Sequence, residues 1–394
     1  MIPMNPFHAR ARPDPYPLYQ YMRTVEPVHR SPAGFLILTR YDDCKAVLEG
    51  KDWSHDADRL LEPARGELEP VDPTVRLLRA SILFQDAPRH QPHLRSLENV
   101  VRAGLKGAEA RLRKTATGLI KLMHEKGGAA DVVRDYAAPL PLVFLCDLIG
   151  VPASERGQVQ RWGRDLAAGL DPLEAGRGVV VAGAAATAMV EYLMGRLDHA
   201  AGGNGGGVIG QLMPRPKGLG TWELIADLTT LLVMGVETSA GLIGNGMLAL
   251  LRNPSELSAL RANPALIDSA LEELIRYDGP VHLTARATAI DTEVGGVKLK
   301  AGEQAIVLLA AADHDPARFS DPERLHLDRT ENPHLGFGLG MHACFAAPLA
   351  RIISRTAILS LLDGFAGLEL DGQPEWNATV TMRTLKKLPV RWPS

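Results

Sequence analysis

Residues 337–351 read FGLGMHACFAAPLAR, and their single cysteine, Cys344, decides how the rest of the chain is understood. Gly336, Gly338 and Gly340 alternate with other residues ahead of it, His342 stands two places before it, and Leu349, Ile352, Ile353, Ile358, Leu361 and Leu362 follow at helical spacing. This pattern puts Cys344 at a helix N-terminus, where backbone N–H groups and the helix dipole favour a thiolate suited to a nucleophile or a metal ligand. From spacing alone, an inert cysteine beside a glycine-rich loop accounts for the run equally well. Cys44, in RYDDCKAVLEG, and Cys146, in LPLVFLCDLIG, read as small buried hydrophobes, and three widely spaced cysteines suggest neither a disulfide framework nor a CxxC zinc site.

Composition narrows the classes. A chain of 394 residues has ample material for a buried pocket, and 43 Lys+Arg against 46 Asp+Glu give a formal charge of -3, so no global field favours nucleic acid or an anionic membrane. The start, MIPMNPFHARARPDPYPLYQ, is polar and Pro-rich, and no window is read as the roughly 18 apolar residues of a membrane span. These features predict a cytoplasmic protein whose partner is a small molecule.

Along the chain, strand signals such as GFLILTR occur early, about 90–278 form a helical lobe, and TEVGGVKL, QAIVLLAAA, GLELDG and LPVRW read as strands near the end. The predicted fold class is mainly α with small β-sheets, as one domain over 1–394 with β-containing parts near 25–60 and 280–394. AGGNGGG at 201–207 reads as a loop. A helix of roughly 30 residues is predicted from about Thr221, a plausible N-cap, to Arg252. Gly235, Gly241, Gly244 and Gly246 lie within it, each costing about 1 kcal/mol relative to Ala, so something there requires close approach or a bend. Glu237 and Thr238 stand in the same apolar stretch, either buried with partners or lining a cavity; a threonine bonded back to a carbonyl one turn earlier is the plain alternative.

In NPALIDSALEELIRY, a helical apolar stripe accompanies Glu273 and Arg276, three apart, and Glu272 and Arg276, four apart. Either pair can meet, and an exposed ion pair worth a few tenths of a kcal/mol is the modest account.

Taken together these residues resemble the cytochrome P450 family, of soluble bacterial type. Phe337, Gly338, Gly340, His342 and Cys344 match its cysteine signature, followed by APLAR; Glu273 and Arg276 match ExxR; Gly235, Glu237 and Thr238 match the oxygen-binding helix. DPYPLYQYMR, LIGVP and AADHDPARFSDPERLHLDR extend the resemblance over nearly the whole chain. It implies a cytochrome P450 fold enclosing haem b, with Cys344 as the axial ligand to iron, a thiolate that pushes electron density onto the metal and favours O–O cleavage. Phe337 would pack on the haem and Gly338 would let backbone approach the sulfur. Glu237 and Thr238 would deliver protons beside Gly235, and Glu273 and Arg276 would form a buried structural pair. His342 and Arg286 match family contacts to the haem propionates. The family's HxxxR pair near residue 90 is irregular here: in DAPRHQPHLRSL, His90 and Arg95 are five apart and Gln91 and Arg95 four, which implies Arg95 with either Gln91 or His90.

Two departures stand out: Met234 replaces a small residue before Gly235, and Ala346 replaces a glycine after the ligand. A crowded distal site would redirect the oxidant from hydroxylation toward desaturation or coupling. The resemblance implies a monomeric monooxygenase of an apolar small molecule, suited to secondary metabolism. Its electrons would come from NAD(P)H through a separate ferredoxin or flavodoxin and its reductase, docking beside Arg95 and Arg102. Asp171, Glu174, Arg177 and His282 are expected polar contacts to substrate. The alternatives are a haem-binding sensor or carrier without turnover and a peroxide-driven oxidase.

Overall fold

The computed structural model describes residues 5–6, 13–60, 72–169, 171, 177–200, 208–209 and 218–393; Glu174 and residues 201–207, read above as a loop, lie outside them. Its axis is the helix Thr221–Arg252, 32 residues and about 48 Å long at about 1.5 Å per residue. Gly220, not Thr221, is the N-cap, and Thr221 is the first helical residue. The helices Pro139–Ile149, Arg156–Gly169, Ile267–Asp278 and Ala347–Gly364 pack around it. Its glycines are explained by contact: a Cβ at Gly241 would lie 2.6 Å from Thr384 Cγ2 and 2.9 Å from Pro280 Cβ, and one at Gly235 would lie 2.8 Å from Leu145 Cδ1. Close approach outweighs the helix propensity lost there.

The main sheet joins the two ends of the chain. Its strands run in the order Val28–Arg30, Leu36–Leu38, Gln304–Leu308, Leu283–Thr288 and Trp53–Ser54, antiparallel except for the parallel pairing of Leu36–Leu38 with Gln304–Leu308. Leu36 and Leu38 are fully buried, so the short strand reads as an apolar run. A second sheet pairs Pro389–Arg391 with Ala129–Asp131 and Glu369–Leu370, placing a strand inside the span read as helical. The alanines of QAIVLLAAA also depart from expectation: the strand ends at Leu308 and Leu309–Ala312 is helical. Thr292–Val294 and Val297–Leu299 form a hairpin across Gly295 and Gly296, both in the left-handed region at φ +56 and +80.

Contrary to the sequence expectation, Val180–His199 and Thr221–Arg252 are long and apolar enough to cross a membrane. The second is apolar because it builds the core: 72% of its most apolar window is buried inside the protein, against 44% for the first. Cys44 and Cys146 are buried as read, and burial pushes both thiols up, Cys146 to about 12.

The ExxR ambiguity resolves in favour of Glu273. Arg276 Nε and Nη2 donate to its carboxylate at 2.8 and 2.9 Å, with both side chains fully buried. Arg329 Nε, the His326 N–H and Asn332 Nδ2 also donate to Glu273, while Arg276 Nη1 reaches the carbonyls of Asp313 and Pro322. Glu272, on the next face, instead accepts two bonds from Arg351 at 2.6 and 2.8 Å and pairs with His334 at 3.0 Å.

Candidate active site

A cavity of about 250 Å³ lies between the middle of the long helix, the cysteine loop with its helix, the start of strand Leu283–Thr288 and residues 82–94. Its lining is mostly apolar. Cys344 is part of the lining and is exposed, open toward this space. The loop is shaped by glycines: Gly338 and Gly340 have φ +67 and +70, and a Cβ at Gly340 would lie 2.5 Å from the Leu48 carbonyl oxygen. The Cys344 N–H donates to the Phe337 carbonyl at 2.8 Å, and the helix begins at Ala347. Burial pushes the Cys344 thiol above its usual value; the N–H groups of Ala346 and Ala347 and the Arg351 guanidinium pull the other way. Arg351 also lies over the Phe337 ring at 4.6 Å, so the Glu272 pair fixes the side chain that backs the loop.

On the long helix, Met234, Gly235 and Thr238 line the cavity. Thr238 Oγ1 donates to the Met234 carbonyl at 2.6 Å, so the plain backbone bond exists and the cavity position exists with it. Glu237 faces elsewhere, into a small apolar space with Leu142, Val159 and Gly163. Burial raises its carboxyl, opposed by Arg164. The two members of the acid–alcohol pair therefore do not share one cavity.

At one end of the cavity the lining turns basic. Arg286 is buried; its Nη1 donates to Thr284 Oγ1 and the Ala285 carbonyl at 3.0 and 2.7 Å, and no carboxylate pairs with it among the described residues. Burial brings its pKa down to about 10, with Asp86 opposing. His90 is buried with Nδ1 lacking any partner, and burial, then the nearby His342 and His93, bring it down to about 4. His342 Nε2 lies 3.1 Å from Asp86 Oδ1, and its ring meets those of His55 and His90 edge-on at 5.2 and 5.1 Å.

Other expected contacts lie elsewhere. Arg95 and Gln91 are exposed, and the residue one turn after His90 is Leu94, which lines the cavity. His282 is buried against Tyr19 and Asp278, outside the cavity lining. Asp171 accepts from the N–H groups of Val380 and Thr381 at 2.7 and 3.0 Å, clamping a turn. No side-chain position is described for Arg177. Sequence reasoning missed His55 and Asp86: Asp86 accepts from Ser54 Oγ and the His55 N–H and holds His342. The available signal was an aspartate four residues ahead of His90 in DAPRH.

These residues fit an iron porphyrin. A cysteine lines the cavity, glycines keep side chains off the loop, and a buried guanidinium and an orphan imidazole nitrogen at one end match anionic carboxylates.

Residues 213–390 match the sequence pattern of the family described as "Cytochrome P450". The chain is 34% identical to cytochrome P450 monooxygenase PikC of Streptomyces venezuelae, over 96% of this chain and 91% of that protein. It is 30% identical to 6-deoxyerythronolide B hydroxylase of Saccharopolyspora erythraea, over 96% of each. Its fold superposes on the polyketide synthase cytochrome P450 PksS of Bacillus subtilis with a TM-score of 0.88 and 30% identity, covering 99% of this chain and 100% of that one. With the motifs in place along nearly the whole chain, this protein belongs to the cytochrome P450 family and is a haem-dependent monooxygenase.

Proposed function

We propose that the protein oxidises a medium-sized, largely apolar metabolite in secondary metabolism, held over Cys344. The observation that carries this is the apolar cavity lining, in which Leu83, Leu94, Leu231, Leu242, Val281 and Leu309, among others, outnumber the hydroxyl groups of Thr230, Thr238, Ser239 and Thr284. Apolar area removed from water contributes about 25 cal/mol per Å², which suits a substrate with few polar anchors. The names of two relatives, a polyketide biosynthesis P450 and a 6-deoxyerythronolide B hydroxylase, support that substrate class.

Cys344 would hold the iron, with Phe337 and Gly338 shaping its loop and His342, His90 and Arg286 at the propionate end. Thiolate-ligated haem, when bound, supplies O₂ activation and C–H oxidation. The chain's part is to exclude water, orient substrate and manage protons. Thr238 gives its own hydrogen to Met234, so toward the cavity it offers lone pairs that accept a bond from a proton donor. Glu237, kept protonated to higher pH by burial, is a proton reserve one residue away that reaches the cavity only by a side-chain rotation or through water. Met234 narrows the same region and bears on the choice between hydroxylation and desaturation or coupling.

Electrons would arrive from NAD(P)H through a separate ferredoxin or flavodoxin and its reductase. The helix His90–Leu105 supports this with Arg95 and Arg102 exposed and Lys106 exposed at its C-cap, cations suited to an acidic partner. A cytoplasmic monomer fits this arrangement. The test is the reduced, CO-treated protein: the red-shifted Soret band of a thiolate ligand is expected, and Cys344→Ala should abolish it. Steady NADPH consumption coupled to product with a surrogate ferredoxin system should accompany it; a wild-type protein with neither band nor turnover overturns the assignment.

A further inference from the structure

We propose that His55 binds one of the two haem propionates, in place of the arginine that the helix His90–Leu105 does not provide; this rests on the haem assignment above. Two propionates bring two carboxylates to the basic end of the cavity, yet Arg286 is the one lysine or arginine among the described residues that line it. The position one turn after His90, where the family pattern has arginine, is Leu94, and Arg95 is exposed. Asp86 adds a further carboxylate at this end and takes the His342 Nε2 bond for itself. The charge left to face two propionates is short by one fixed cation.

His55 is placed to make up the difference. It lines the cavity, its ring stacks on Phe84 at 4.9 Å and meets His342 at 5.2 Å. Its Nδ1 bonds the Leu83 carbonyl, and a carbonyl only accepts, so the ring proton sits on Nδ1. Nε2 has no hydrogen-bond partner among the described residues. The backbone bond and the Phe84 stack fix the ring, which removes most of the ordering cost of using it. On binding a carboxylate, Nε2 takes up one proton from solvent and donates it, giving an imidazolium–carboxylate pair. Burial, Arg286 and His342 now disfavour that charge, and an anion placed among them reverses the balance. His90, whose Nδ1 is orphaned, and Arg286 remain for the other carboxylate.

The test follows haem loss from the loaded holoenzyme to excess apomyoglobin, with the ferrous–CO spectrum recorded for each protein. His55→Phe keeps the stack on Phe84 and removes both ring nitrogens; Leu94→Arg restores the missing cation; the double variant combines them. Loss of one charge-assisted bond should speed haem transfer about tenfold in His55→Phe, and the double variant should return to within about threefold of wild type. His55→Phe at the wild-type rate overturns the proposal. So does fast loss that Leu94→Arg leaves unrepaired, which would mark His55 as a packing residue only. Wild-type protein that takes up haem without the thiolate band overturns Cys344 as the ligand separately, since the transfer rates still report on His55; wild-type protein that takes up no haem overturns both.

Discussion

Thr238 Oγ1 and the Met234 carbonyl oxygen are 2.6 Å apart, a bond one turn long within the helix that borders the cavity over Cys344. It commits the hydroxyl hydrogen to the backbone and turns the threonine into an acceptor toward the cavity.

Thr238→Ala should therefore leave substrate binding close to wild type while the product formed per NADPH consumed falls about tenfold, with peroxide released in its place. Thr238→Ser keeps the hydroxyl and should stay within about threefold. Parallel measurement of NADPH, product and peroxide checks both, and equal coupling in all three proteins would remove Thr238 from proton management.

Removing one partner of the Glu273–Arg276 pair leaves a buried charge without its counter-ion. Arg276→Ala should cost about 3–5 kcal/mol, seen as a lower urea midpoint or as insoluble protein. Arg329→Ala should cost less, since Arg329 makes one bond to Glu273 whereas Arg276 makes two and also satisfies carbonyls of Asp313 and Pro322.

Gly340→Ala tests how the cysteine loop is shaped. A side chain there must adopt φ +70 and would sit 2.5 Å from the Leu48 carbonyl oxygen. Strain of about 1–3 kcal/mol concentrated in this loop should lower haem incorporation and shift part of the ferrous–CO spectrum away from the thiolate band, while Gly107→Ala, with φ +62 but open space around it, should leave the spectrum unchanged.

Asp278 sets an acid limit on stability. Burial pushes its carboxyl up, but Arg383, whose Nε donates to it at 3.0 Å, the nearby His282 ring and the hydrogen bond from Tyr16 outweigh this and hold it at about 2. Its folded value lies below the unfolded value of about 3.9, so its contribution of about 2 kcal/mol is complete above about pH 4 and is lost as pH falls toward 2. Asp278→Asn should be less stable than wild type at pH 7, and urea midpoints should show that gap closing on acidification. A constant gap from pH 7 to pH 3 would refute the linkage.

The cysteine loop, the long helix and the ExxR helix were legible because each is set by short-range rules: turn glycines, helical spacing of apolar residues, and charges three or four apart. Thr221–Arg252 was read to its observed ends for this reason. Glu272 and Glu273 were not separable, since both lie within helical reach of Arg276; the choice came from the 326–332 segment folding over one face and Arg351 reaching the other. The strand Gln304–Leu308 gives way to the helical turn Leu309–Ala312 because its pairing with Leu283–Thr288 ends at Leu308, which no local signal records.

By itself the sequence determined that a glycine-shaped loop carries Cys344 to the head of a helix, that a long glycine-containing helix runs from Thr221 to Arg252 and that the fold is mainly helical with small sheets, because those features depend on neighbours along the chain. Only the tertiary structure decided that Arg95 faces solvent while Leu94 faces the cavity, that Glu237 turns away from Thr238, and that His55, Asp86 and Arg286 gather with His342. Those outcomes follow from how separate segments pack, where burial selects one face of each helix and brings together charges more than two hundred residues apart.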